Sequence, residues 1–287
     1  MIQIRGNEFP SLLFWGATAI LTTLLVGYWQ RKKRKSVAIP KTWREVGELT
    51  DLTLFPMKSG AGIKLTEAEC TDTGIQTIGD IQPRLKDRIF HQVEVGTVDC
   101  GDEVAAWINK YIYGEQKGLR LGYYIDGVAP KRQIATKFKI ISVFKENDQG
   151  AYPDLTSYML MTEASVNDLK SRVPPHVNVT HRQFRPNFLV RGSQPYEEDN
   201  WKWIKIGDNT IFQAVMLCTR CVFTTIDPDT GVMEPQKEPL KTLRGYRVLP
   251  DPLLEKIKDT SPVLGIHLGI RSQGIVRIGD KVYVGEE

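Results

Sequence analysis

The chain of 287 residues has little cysteine, little histidine and, outside one short cluster, no excess of either charge. Four cysteines make no disulfide framework, which suits a reducing compartment, and Cys70 and Cys100 read as small buried hydrophobes. Only Cys218 and Cys221 form a Cys-x-x-Cys pair. No second pair accompanies them, and His176, His181 and His267 keep no ligand spacing to them, which argues against structural zinc. A thioredoxin-type pair needs a helix opening after the thiols, whereas β-branched Val222, Thr224 and Thr225 predict a continuing strand. The formal charge is +4, and five positive charges sit in Arg31–Lys35, so the remainder stands at −1. Without a basic excess, nucleic-acid binding is not expected. Internal repeats and further low-complexity tracts are lacking too.

Charge is absent from Ser11 to Trp29, a run of 19 residues. At about 1.5 Å per helical residue this spans roughly 28 Å, close to the thickness of a bilayer's hydrocarbon core. It predicts one transmembrane helix. The basic cluster behind it places residues from Lys41 onward in the cytosol by the positive-inside rule. A cleaved signal peptide fits less well: the N-terminal flank has only Arg5 against Glu8, and the apolar run exceeds a usual signal core. On a cytosolic domain the sequon Asn178-Val179-Thr180 is a chance match.

After a linker from Ser36 to Lys41, alternation predicts strands at Asp51–Pro56 and Gly62–Leu65. A helix is predicted from Asp102 to about Tyr111, with Val104, Trp107, Ile108 and Tyr111 as a core-facing stripe. Further strands are expected at Leu119–Ile125, Lys137–Phe144 and Tyr158–Met161. Thr162 then caps a helix whose Val166, Leu169 and Val173 face inward until Pro174-Pro175 stops it. Strands follow at Phe188–Val190, Trp201–Ile206 and Thr210–Leu217, with a hairpin from Ile275 to Val284. The class is α+β and β-rich, a barrel-like sheet with a few covering helices.

Three segments carry candidate chemistry. In Cys218-Thr219-Arg220-Cys221 a thiolate is a soft ligand for a redox metal, and the arginine favours the thiolate while offering a donor fork to an anion. One liganding and one packing cysteine is the better division of the pair. In Phe184-Arg185-Pro186-Asn187, Arg185 can clamp a phosphate and Asn187 can meet a heterocycle edge, although an arginine at a strand end is more often simply solvated. Pro56–Gly62 offers Lys58, Ser59 and backbone amides to an anion. It is not a Walker loop, and a plain polar turn explains it equally well.

Together PMKSG, LKDR, FRPN, CTRC followed by TTIDPDTG, EPLKTLRGYR and IGDKVYV, in that order, resemble the MOSC-domain family over nearly the whole chain. The resemblance implies a signal anchor over 1–40, a shortened N-terminal MOSC-type β-domain over 41–134 and a MOSC domain over 135–287. It implies a molybdenum cofactor, with Cys221 as the metal ligand and Lys58, Ser59, Arg88, Arg185, Asn187, Thr219 and Arg220 around the pterin and its phosphate. Thr156 and Ser157 would line the same pocket. The implied reaction is reduction of N-hydroxylated substrates such as amidoximes to amidines, with electrons from NADH through cytochrome b5 reductase and cytochrome b5. The implied place is the mitochondrial outer membrane; the helix physics alone suits the endoplasmic reticulum or a peroxisome equally. A molybdenum-cofactor sulfurase shares the C-terminal domain type, but its pyridoxal-phosphate domain has no room here. The family carries several dozen more residues between Arg88 and Val93, so open sheet edges are expected there. A non-catalytic, membrane-anchored cofactor-binding or interaction protein is the alternative.

Overall fold

The computed structural model describes residues 38–57, 60–76, 85–90, 93–124, 138, 141–150, 152–153, 155–256 and 259–286. The expected transmembrane helix lies outside them, as do Lys58 and Ser59. Among the described residues no helix is long and apolar enough to cross a membrane.

In chain order the first elements are β1 (Thr42–Leu54), β2 (Ile63–Lys64), β3 (Glu67–Thr71), β4 (Gly74–Gln76), β5 (Leu85–Phe90), β6 (Val93–Asp99), α1 (Asp102–Tyr113) and β7 (Gly122–Tyr123). There follow β8 (Tyr158–Thr162), α2 (Glu163–Arg172), β9 (Phe188–Arg191), β10 (Trp203–Ile206), β11 (Thr210–Thr219), α3 (Leu240–Arg244) and α4 (Pro252–Lys256). Strands β12 (Val263–Ser272), β13 (Gly274–Arg277) and β14 (Lys281–Glu286) close the chain.

The main sheet runs β14-β10-β11-β12-β8-β9-β1-β2, and β14 also pairs with β1, so seven of its strands form a closed barrel. Only β8 and β9 are parallel. Closure removes the free edges that an open sheet presents. The barrel interior is filled by alternate residues of each strand, among them Leu49, Leu52, Leu160, Val190, Ile204, Phe212, Leu268 and Val282. At its centre Tyr158, Phe188 and Phe212 pack ring to ring, with centroids 5.1 to 5.7 Å apart. The opposite face of β8, Met159 and Met161, packs on Val166 and Leu169 of α2. Both faces are therefore buried, as the apolar run Tyr158–Met161 predicts. The Thr162 side chain accepts from Ser165 N at 3.2 Å, a helix cap contributing about 1 kcal/mol.

Four local expectations are corrected. β13 and β14 form no hairpin: β13 pairs with β3, and β14 with β1 and β10. The intervening Gly279 and Asp280 bond to Leu49 of β1 instead, turning a corner between sheets. Residues 141–145 are not strand. Ile141 N bonds Phe138 O and Phe144 N bonds Ile141 O, so successive turns bury Ile141 without a ladder. In α1 the expected core stripe is split: Val104 and Ile108 are partly buried, but Trp107 is 64% and Tyr111 78% exposed, while Ala105 and Asn109 are buried. Cys100 is exposed, unlike Cys70.

Two three-stranded sheets complete the fold, β13-β3-β4 and β5-β6-β7. Where the family's extra strands were expected, β5 and β6 pair directly from Leu85↔Val98 to Phe90↔Val93, joined by residues 91–92. The segment 41–134 also supplies β1 to the barrel, and residues 125–137, around the expected domain boundary, lie outside the description.

Candidate functional site

β11 ends at Thr219, and the chain turns into a 3-10 turn over Val222–Thr225 rather than continuing as strand. The β-branched residues that predict a strand are diverted by their hydroxyls. Thr224 Oγ1 donates to Cys221 O at 2.9 Å and Thr225 Oγ1 to Val222 O at 2.8 Å, replacing the ladder. Asp227 closes the following loop by accepting from the amides of Asp229 and Thr230 at 2.9 and 2.8 Å, with Gly231 at φ 70°. The consequence is that Cys221 stands exposed at a turn while Cys218 is buried in the layer beneath. The burial of Cys218 is that of a packing residue, and the exposure of Cys221 leaves its thiol accessible. Burial pushes the Cys70 thiol up to about 12, leaving it as core.

The two arginine motifs interlock. Arg220 lies 5.4 Å over the Phe184 ring and donates to Phe184 O at 2.8 Å. Reciprocally, Arg185 lies 5.8 Å from the Phe223 ring and 4.1 Å from that of Phe55. Arg185 adopts a left-handed φ of 58°, uncommon for a side chain of this size, which aims its guanidinium back at the loop before β2. There it donates to Gly60 O and, at 3.4 Å, to Met57 O. Among the described residues it pairs with no carboxylate.

A cleft of about 160 Å³ opens at this junction, lined by Phe55, Gly60–Gly62, Arg185, Phe223 and Asp227 together with Lys64, His181 and Arg182. Burial holds Arg185 below its ordinary range. Lys64 is lowered by burial and by the charge of Arg182, and His181 by burial and then by Lys64 and Arg182. Cations that depress one another mark a positive potential, which an anion in the cleft relieves.

The remaining predicted residues are placed elsewhere. Arg220 is buried, and its donors go to Leu264 O and Phe184 O, with Met159 and Met161 sulfurs alongside, so it braces the turn from below and is not presented to the cleft. Asn187 is likewise committed. Its Oδ1 accepts from Met159 N at 3.0 Å and its Nδ2 donates to Thr53 O at 3.2 Å, tying β8 to β1. Thr156 is buried, donating to Tyr158 O at 2.8 Å and lying 3.1 Å from His267 Nδ1. The Ser157 hydroxyl is buried without a partner. Neither of these two lines the cleft, nor does Thr219, which pairs with Val263. Arg88 is on β5, and its side chain lies outside the description.

Residue reasoning missed Lys64, His181 and Arg182 as cleft groups. The available signal was proximity: Lys64 follows the glycine loop, and His181-Arg182 lie just ahead of Phe184-Arg185.

The residues present fit an anionic metal chelate in part. Cys221 offers an exposed soft donor, and Arg185 is a half-buried cation with no carboxylate partner among the described residues. Among the described residues no three His, Cys, Asp or Glu side chains converge on a point, so the chain offers a metal here one thiolate.

The MOSC domain family model matches residues 148–283, the part that contains both arginine motifs. Mitochondrial amidoxime-reducing component 1 of Danio rerio is 32% identical over 330 positions, covering 96% of this chain and 95% of the relative. Its Homo sapiens counterpart is 30% identical, over 89% and 86%. Mitochondrial amidoxime reducing component 2 of Homo sapiens is 29% identical, over 93% and 90%. An alignment of 330 positions exceeds the 287 residues of this chain, so at least 43 positions of the Danio rerio relative have no counterpart here. A solved structure, the YUAD protein of Bacillus subtilis, aligns over 85% of this chain and 100% of its own at 11% identity and a TM-score of 0.41, too slight a likeness to argue from. On the family match and these identities, the chain belongs to the MOSC-domain family, alongside the mitochondrial amidoxime-reducing components.

Proposed function

We propose that this protein is a molybdenum-cofactor-dependent oxidoreductase that reduces N-hydroxylated substrates such as amidoximes. The observation that carries the reading is the exposed Cys221, which does not itself line the cleft but stands two residues before its lining residue Phe223, together with Arg185, a cleft cation that pairs with no carboxylate among the described residues. When bound, the cofactor supplies a two-electron redox centre. Cys221 would ligate the metal, Arg185 would neutralise the anionic chelate, and Arg220 would hold the Cys221 turn rigid from below. Stacking on Phe55 keeps the Arg185 guanidinium oriented before any ligand arrives.

In this reading electrons come from NADH through cytochrome b5 reductase and cytochrome b5, as the family resemblance implies. The relatives are named mitochondrial, which fits a mitochondrial location, and the apolar run Ser11–Trp29 with its basic flank supports the reading of a single-pass anchor in the outer membrane, the cleft facing the cytosol. Tethering there raises the effective concentration of membrane-bound electron donors. Metal analysis of purified protein tests the reading: molybdenum is expected in the wild type and lost in Cys221→Ser. Benzamidoxime turnover with reconstituted cytochrome b5 and its reductase is expected of the wild type alone. Absence of molybdenum from the wild type overturns the reading. A second reading, a non-catalytic cofactor-binding or interaction protein, is favoured by the 43 or more positions that this chain lacks. It predicts bound pterin without turnover in the same assay.

A further inference from the structure

Reduction of an amidoxime consumes protons as well as electrons. The N–O bond breaks, the nitrogen gains two electrons and one proton, and the departing oxygen leaves as water after taking a second proton. Hydroxide is a poor leaving group, so a proton donor in the cleft is required for a useful rate. Few of the described cleft groups qualify. Arg182 and Arg185 do not release protons near neutral pH. Asp227 is held ionised by the amides of Thr230 and Asp229, which keep its carboxyl below the usual range. Lys64 is more than half exposed and is bound to Asp51. His181 remains, the side-chain type whose charge changes in the physiological range.

Its surroundings form a connected unit. His181 stands in the 3-10 turn His181–Phe184, immediately before Arg185, on the wall shared with Phe223. Its Nε2 lies 3.2 Å from Asp51 Oδ2, close but without hydrogen-bond alignment. The buried Asp51 is fixed from β1 by Thr53 Oγ1, which donates to its Oδ1 at 2.6 Å, and from β2 by Lys64, which donates to Oδ2. The exposed Lys64 ammonium connects this carboxylate to bulk water.

Resting on the function proposed above, we propose that His181 is the proton donor of the reaction, with the Asp51 carboxylate beside its ring and protons resupplied from solvent through Lys64. The two electrons come from the haem-protein donor, and the imidazolium N–H gives its proton to the departing oxygen. The charged groups facing the ring are Asp51 on β1, Lys64 on β2, Arg182 in its own turn and Glu163 at the start of α2. Burial, Lys64 and Arg182 hold the imidazole below the ordinary histidine range, and Glu163 opposes them. A lowered range makes the protonated ring a stronger acid, and it predicts a rate that falls as pH rises through that range.

The test follows His181 by two readouts in the full-length protein. In cofactor-free protein, the His181 ring resonances, assigned by their loss in His181→Asn, should titrate below the ordinary histidine value of about 6.5. Lys64→Met removes a neighbouring cation and should move that midpoint upward. In the loaded enzyme, the kcat inflection for benzamidoxime should move upward with it. His181→Asn, checked for an unchanged melting temperature, should lower kcat about 10²- to 10⁴-fold with KM retained and lose the inflection. If that variant does not fold, comparison of wild type with Lys64→Met still decides. Turnover whose inflection ignores Lys64→Met, or a folded His181→Asn that keeps wild-type kcat, overturns the proton assignment alone. A wild type without molybdenum or turnover overturns the parent reading and this one together.

Discussion

Arg185 and Arg220 bring the same charge into neighbouring motifs, and their surroundings give them opposite consequences. Arg220 is buried, and it donates to Leu264 O, Phe184 O and two methionine sulfurs, all of them protein atoms. Removing it orphans buried carbonyls, each at about 1–3 kcal/mol. Arg220→Met is therefore expected to lower stability by about 3 kcal/mol or more in urea unfolding, before any effect on a ligand. Arg185 reaches two carbonyls from the rim of a cleft and stacks on Phe55, so Arg185→Met should cost about 1 kcal/mol and chiefly reduce molybdenum content. Equal destabilisation by both variants would contradict this division. Glu198 provides a separate prediction in pH. It is fully buried, accepts from Thr162 Oγ1 at 3.1 Å and Ser165 Oγ at 2.8 Å through one oxygen, and leaves the other without a partner. Burial raises its carboxyl above the usual range. A raised carboxyl stabilises the fold below its unfolded-state value, and that contribution is lost as pH rises through the folded-state value. Relative to Glu198→Gln, the wild type should lose stability as pH rises above about 4.5, measured by thermal midpoints across a pH series. Parallel curves for the two proteins would refute the assignment.

At the scale of elements, α1 shows where periodicity stops being informative. Its Val104, Trp107, Ile108 and Tyr111 spacing is regular, yet Trp107 and Tyr111 stack on each other in solvent, rings 5.4 Å apart at 6°. The inward side is held by a polar residue. Asn109 donates to Ala105 O at 2.6 Å and Leu119 O at 2.7 Å and accepts from Lys117 N and Leu119 N, so one amide pins the loop after the helix. Trp107→Ser should change stability by no more than about 0.5 kcal/mol, whereas Asn109→Leu should cost about 2–4 kcal/mol. Chemical denaturation of the two variants checks the reversal. The apolar run Tyr158–Met161 is legible because both of its faces are buried, and Thr210–Leu217 is legible as a strand although bulges break its alternation. Strand pairing was not: the alternation in Ile275–Val284 is real, but which edges it meets is decided by β3 and β1, more than 200 residues earlier. The site divides likewise. The exposed Cys221 and the cleft-lining Arg185 match what residue chemistry leads one to expect of their positions, whereas the inward turn of Arg220 depends on Leu264 and Phe184, which spacing does not place.

For the molecule as a whole, barrel closure depends on one backbone approach. β1 is 13 residues long and serves two barrel neighbours, β14 through its first half and β9 through its second, besides pairing with β2 at its end, with register shifts at Glu45/Gly47 and Leu49/Asp51. Bulges of this kind bend a strand sharply enough to close a ring. At the first of them Gly47 meets the main chain of Arg191, and a β-carbon there would overlap the Arg191 carbonyl, with Gly192 packed against the same spot. The obstruction is backbone, so no rotamer change relieves it. Gly47→Ala should therefore destabilise by at least about 2 kcal/mol and loosen the barrel as a unit, seen as faster amide exchange along β1, β9 and β14 together. Gly231→Ala is the control. Its φ of 70° is also unfavourable to a side chain, but nothing lies within 4 Å of the added carbon, so its cost is limited to about 1–2 kcal/mol and its exchange effect to the Asp227 loop. If Gly47→Ala leaves exchange in all three strands unchanged, closure does not rest on this approach. The alternative is then that the β14–β1 pairing closes the ring by itself, and deleting β14 rather than bending β1 would open it.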